Sequence, residues 1–158
     1  MHPKSPLSLV LSVAFAGLAL AGLSTPAIAQ SAAECPTLPQ DAGDLRWNVL
    51  RTDSAVLCRA MRTDSGQEAF AVTLSRKSPF RPASELREEE GRIQGEKVWW
   101  YRTEIAGRPN ELVRETLLKI DRDRVAHVFI RTSDKDTLGR YQTIVQGLEF
   151  GAGGLATR

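Results

Sequence analysis

Histidine is almost missing from this chain. Of the two in 158 residues, His2 lies in an N-terminal leader and only His127 remains beyond it. A Ser-His-Asp or Cys-His arrangement therefore has one candidate base. That residue sits in the middle of a strand pattern, where a histidine is ordinarily a packing residue. No G-x-S-x-G or comparable nucleophile context accompanies it. Cysteine is as scarce, with only Cys35 and Cys58. Together with one histidine and no D-x-D-x-D loop, they supply no metal-ligand set of the usual kinds. An excess of one charge is lacking too: the leader removes one of 21 basic residues and none of the 19 acidic ones. A nearly neutral chain has no whole-molecule field for nucleic acid or anionic lipid. Gly91–Lys97 (G-R-I-Q-G-E-K) has neither the glycine spacing nor the following Ser or Thr of a phosphate loop. These absences lead to an expectation of no catalytic residues, no metal, no cofactor and no nucleic-acid partner.

Long apolar runs are limited to one, Leu7–Leu23. Lys4 precedes it, Ser24-Thr25-Pro26 breaks it, and Ala27-Ile28-Ala29 follows as a small-x-small site. This is the pattern of a cleavable signal peptide over residues 1–29, with Gln30 as the mature N-terminus. Cys35 follows Ala-Ala-Glu well past that site, so there is no lipobox. The expectation is a periplasmic or secreted protein with no stable membrane insertion after cleavage. In an exported chain two cysteines most often pair, and a Cys35–Cys58 bridge is expected.

Gln30–Gly43, rich in Ala, Pro and Ser, reads as an irregular arm. From Leu45 the apolar residues alternate. Leu45, Trp47 and Val49 mark one strand, Val56, Cys58 and Ala60 a second, and Phe70, Val72 and Leu74 a third. Turn residues at Thr52–Ser54 and Thr63–Gly66 separate them. Ser78-Pro79-Phe80-Arg81-Pro82 ends this pattern. Pro82 is suited to the first turn of a short helix through Glu90, bearing Glu85, Glu88, Glu89 and Glu90 as a solvated face. Three further strands follow over Lys97–Ile105, Glu111–Ile120 and Val125–Thr132. A helix over Asp134–Gly147 closes the domain, opened by an S-x-x-D cap at Ser133. Its apolar stripe is Leu138, Tyr141, Val145 and Leu148, with Ile144 beside it. The reading is α+β: an antiparallel sheet of about six strands in a single domain over 44–150, with the C-terminal amphipathic helix and one short helix on one face. Residues 151–158 read as a flexible tail.

Aromatics are only 6% of the chain, yet three are consecutive at Trp99-Trp100-Tyr101. Strand alternation points Val98 and Trp100 one way and Trp99 and Tyr101 the other. Trp99 and Tyr101, flanked by Arg102 and Arg114, are the candidate binding residues; burial in the core is the competing role for each aromatic.

The strand Lys97–Ile105 after a Gly95 turn, the Arg114-Glu115-Thr116-Leu117-Leu118 strand, Ala126-His127-Val128 and the ending Ile144–Phe150 together resemble the Mog1/PsbP-like group of small α+β domains. The resemblance covers about 60 residues of hydrophobic pattern. It implies a twisted antiparallel sheet with packed helices and an accessory or binding role; no functional residue carries over. The leading expectation is an exported, soluble, non-catalytic binding or accessory protein of the bacterial cell envelope with an envelope protein as partner. One alternative is a small periplasmic hydrolase or hydrolase inhibitor using His127, the Glu85–Glu90 cluster, or a loop at Arg76–Arg81 or Ala106–Asn110. Another is a carrier of a small apolar ligand between sheet and helix, lined by Trp100, Phe129 and Tyr141.

Overall fold

Six segments of alternating apolar residues and one charged segment build one antiparallel sheet. The computed structural model describes residues 35–151; the expected signal peptide, the start of the arm and most of the tail lie outside them. The strands are β1 (Leu45–Arg51), β2 (Ala55–Arg62), β3 (Glu68–Ser75), β4 (Arg87–Ile93), β5 (Glu96–Thr103), β6 (Leu112–Lys119) and β7 (Val125–Thr132), followed by the helix α1 (Lys135–Gln146). Their order across the sheet is β1-β2-β3-β7-β6-β5-β4. Two meanders, β1–β3 and β4–β7, join where β3 pairs with β7 from Phe70↔Ile130 to Ser75↔Val125. The fold class is α+β, as the sequence predicts. No helix among the described residues is long and apolar enough to cross a membrane.

One face of the sheet lies under α1. Val56, Cys58 and Ala60 of β2, Phe70, Val72 and Leu74 of β3, and Ala126, Val128 and Ile130 of β7 form its centre. Trp100 of β5 extends it and is 1% exposed. From α1, Leu138, Tyr141, Ile144 and Val145 pack down, and Leu148 follows. Burying each such side chain contributes about 1.5–3 kcal/mol. Their sum outweighs the roughly 1 kcal/mol that Gly139 costs inside the helix. The helix also reaches the β4 edge, where Gln142 Nε2 donates to Glu89 Oε2 at 3.4 Å.

The N-terminal arm is tied to this layer. Cys35 and Cys58 form the expected disulfide, with Cα atoms 5.7 Å apart. Trp47 Nε1 donates to the Pro36 carbonyl at 2.7 Å. Thr37 and Glu149 exchange backbone hydrogen bonds of 2.8 and 3.2 Å.

Three expectations are corrected. The sheet has seven strands, not about six. The short helix expected from Pro82 to Glu90 is a single 3-10 turn, Ser84–Leu86, and the glutamates belong to the edge strand β4. As a helix this segment has no apolar stripe to bury. As a strand it sends Ile93 into the core, and each of Glu88, Glu89 and Glu90 meets a cation: Arg102, Arg114 and Lys97 respectively. The turn that permits this is Gln94-Gly95, with φ of 50° and 82°, the positive pair required by a two-residue hairpin. Finally, the cap of α1 is Asp134, not Ser133: its Oδ1 accepts from Thr137 N at 2.7 Å.

Gly91 faces Trp100 so closely that a Cβ there would lie 3.0 Å from the indole Nε1. The ring is buried, so it has little room to give way. Gly91→Ala is expected to destabilise the protein by about 1–3 kcal/mol, measured by urea unfolding; an unchanged midpoint would show that the ring can move. Reduction of Cys35–Cys58 is expected to cost about 3 kcal/mol by chain-entropy reasoning, measured as the difference between oxidised and reduced unfolding curves.

Candidate functional site

The connection between β3 and β4 makes the second face of the sheet distinctive. β3 is central and β4 is an outer edge, so residues 76–86 must pass β7, β6 and β5. They do so on the face opposite α1. Four strand spacings amount to about 19 Å, which this segment spans easily. Phe80 anchors the crossing. Its ring stacks on His127 at 4.9 Å and 10°, and meets Tyr101 edge-on at 5.7 Å. Its own N–H donates to Ser78 Oγ at 3.1 Å.

Beneath Phe80 lies a cluster of polar side chains on this face. Glu115 of β6 pairs with Phe129 and Tyr101 on its two neighbours. His127 and Thr103 are therefore its diagonal neighbours, within side-chain reach. His127 Nε2 is 2.6 Å from Glu115 Oε2, and the Thr103 side chain neighbours the same carboxylate from the other side. Burial by itself pushes the Glu115 carboxyl up. The hydrogen bonds from His127 and Thr103, with the attraction of His127, outweigh it and leave the group below its ordinary value. An ionised carboxylate only accepts, so His127 Nε2 carries the proton of that bond.

The order of these contacts decides what they can do. In nucleophilic catalysis the imidazole stands between hydroxyl and carboxylate, so that it can take the hydroxyl proton. Here the carboxylate stands in the middle: His127 is bonded to Glu115 from β7, and Thr103 lies beyond the carboxylate on β5. The stacked Phe80 covers one face of the imidazole. The cluster joins β5, β6 and β7 under the crossing segment, and it leaves Thr103 unactivated.

The candidate binding residues divide between the two faces, as strand alternation requires. Trp99 and Tyr101 are on the second face. Trp99 is half-buried, with Arg87 and Lys97 5.3 and 5.5 Å from its ring centroid. Tyr101 is 8% exposed. Arg102 and Arg114 point to the helix side. Arg114 is buried, and its Nε and Nη2 hold Glu89 at 2.9 and 3.0 Å. Arg102 Nε lies 3.1 Å from Glu88. These two arginines line a cavity of about 720 Å³ along the β5–β6 hairpin, with Arg108 and Glu111. Each arginine there already has a carboxylate partner. The four residues thus do not converge.

No family model, curated protein or solved structure matches this chain. Any reading of function rests on the geometry.

That geometry offers an apolar floor beside the crossing segment. Leu57 and Met61 of β2 and Phe129 of β7 are half-buried, with buried Ala71 between them. Arg59, paired to Glu68, lies between Leu57 and Met61 on this face of β2, and Arg131, 3.5 Å from Glu111, borders Phe129. The space proposed for a carrier is differently placed. Trp100 and Tyr141 are packed in the core on the helix side, whereas Phe129 is on the other face. These three side chains line no common space.

The Glu115 shift has a sign. A carboxylate held below its unfolded value contributes stability that is present above that value and lost as pH falls through the folded one. Glu115→Gln is therefore expected to flatten the fall in unfolding free energy below about pH 4.5, the ordinary value of the group. His127→Ala leaves the buried carboxylate short of a donor and is expected to cost about 1–3 kcal/mol at pH 7. Parallel urea titrations of both variants between pH 7 and pH 3 test this; equal pH slopes for wild type and Glu115→Gln would overturn it.

Proposed function

We propose that this chain is an exported, soluble, non-catalytic binding or accessory protein of the bacterial cell envelope, and that its partner seats on the sheet face opposite α1. The observation that carries the reading is that floor: Leu57, Met61 and Phe129 stay partly exposed on the face that no helix covers among the described residues. Met, aromatic and Arg side chains together are the composition of recognition surfaces. Aromatic rings in particular provide contact area at little entropic cost. Export is supported by the leader pattern at residues 1–29 and by the Cys35–Cys58 bridge, since disulfides persist in oxidising compartments. A relation to the Mog1/PsbP-like domains is part of the same proposal and rests on residues between Lys97 and Phe150. The carboxylate-centred cluster favours binding over hydrolysis, because it offers no activated nucleophile.

The test is a crosslinking pull-down from envelope extract with oxidised Gln30–Arg158 as bait, beside a Met61→Lys/Phe129→Lys double variant of matched thermal stability. One stoichiometric protein captured by the wild type and reduced at least about tenfold by the variant is expected, as for loss of an interface anchor. Equal capture by both would exclude this face, and no specific partner would exclude the accessory role.

A further inference from the structure

One end of the sheet gathers arginines. Antiparallel order brings the C-terminal ends of β1 and β3 together with the N-terminal ends of β2 and β7. Between them is a cavity of about 310 Å³ lined by Arg51, Arg76 and Arg124. These come from three separate segments: the end of β1, the residue after β3, and the β6–β7 turn. Asp53 is the only acid among the lining residues, and Val56 and Leu74 are its buried apolar members.

The segments that carry these arginines are ordered by short-range bonds. Thr52 Oγ1 accepts from Ala55 N at 3.1 Å, which closes the turn after Arg51. Ser75 Oγ donates to the Lys77 carbonyl at 2.8 Å, bracketing Arg76. Arg124 Nε donates to Asp121 Oδ2 at 2.6 Å. That single bond orients the guanidinium and leaves its Nη groups without a hydrogen bond among the described residues. Arg76 forms no ion pair among them. Guanidinium groups gathered around one concavity, beside the carboxylates of Asp53 and Asp121, raise the local affinity for an anion. Guanidinium forks match the oxygens of phosphates and carboxylates in particular.

We propose that this cavity binds an oxyanion group carried on a small apolar body, a phosphate monoester or diester with a short alkyl portion. The oxyanion meets Arg76, Arg124 and Arg51, and the alkyl portion rests against Val56 and Leu74. The volume is at the small end of ligand sites, which sets the size of the body. A free alkyl phosphate and a phospholipid headgroup share this chemistry.

Calorimetric titration at low salt with butyl phosphate, with inorganic phosphate, and with phosphatidylglycerol vesicles separates these sources. Saturable binding of butyl phosphate is expected, stronger than that of inorganic phosphate and weaker as salt is added. Arg76→Gln and Arg124→Gln are each expected to reduce it about tenfold, the effect of losing one charge-assisted bond. Binding to vesicles alone, lost in the same variants, would support the site and make the membrane headgroup its source. No saturable binding to any probe, or binding unchanged in both variants, would overturn the proposal. Arg76 is exposed, so its variant keeps the fold, and thermal melts of both verify this. The Met61→Lys/Phe129→Lys variant is expected to bind butyl phosphate as the wild type does, so this site and the partner-binding face stand or fall separately.

Discussion

Pairing of β3 with β7 is the contact on which the molecule depends. It joins two local meanders through residues at least 50 positions apart, such as Ser75 and Val125. Closing so long a loop carries an entropic cost that grows slowly with its length. Phe70, Val72 and Leu74 opposite Ile130, Val128 and Ala126 offset it, because all six side chains are buried beneath α1. The helix begins directly after β7 and so lies over the seam it helps to seal. Without that seam each meander has an apolar face and nothing to cover it.

The same pairing dictates the second face. Once β7 occupies the place beside β3, the chain leaving β3 can reach the other edge only by crossing the sheet. A single helix covers one side, so the crossing segment, without strand or α-helix, takes the other. Only its Phe80 is ring-stacked there, and the polar cluster of Glu115, His127 and Thr103 sits beneath it. A buried carboxylate is tolerable because His127 is bonded to it at 2.6 Å. Beyond the reach of the crossing segment, Leu57, Met61 and Phe129 remain partly open to solvent. The candidate recognition face is thus a consequence of topology: among the described residues one helix and one crossing segment do not cover both faces of seven strands.

The two edges of the sheet differ as well. β4 presents three consecutive glutamates and a register shift between Arg87 and Glu89, features that oppose further strand pairing. Each glutamate is also held from within the fold by Arg102, Arg114 or Lys97. The charges that make this segment look like a solvated helix in the sequence are those that protect an edge strand. Charge content alone does not distinguish the two. The deciding term is the burial of Ile93 and the close seat of Gly91 against Trp100, and both depend on β5 lying alongside.

Local chemistry was enough for much of the fold. Period-two alternation marked β1, β2, β3 and the three strands after β4, since one covered face imposes that pattern on each. The stripe Leu138, Tyr141, Val145 and Leu148 marked α1 for the same reason at helical period. Two cysteines in a chain read as exported were enough to expect the disulfide. The alternation rule also separates Tyr101 from Arg102 without any structure, because neighbours on a strand face opposite ways. Tertiary structure alone decided which face α1 would cover, and hence that Trp100 is core while Trp99 is half-exposed. It alone brought Phe80 onto His127, and Arg51, Arg76 and Arg124 to one cavity. Those groups are joined by strand order, which is set by long-range pairing, and no periodicity within a segment carries that information.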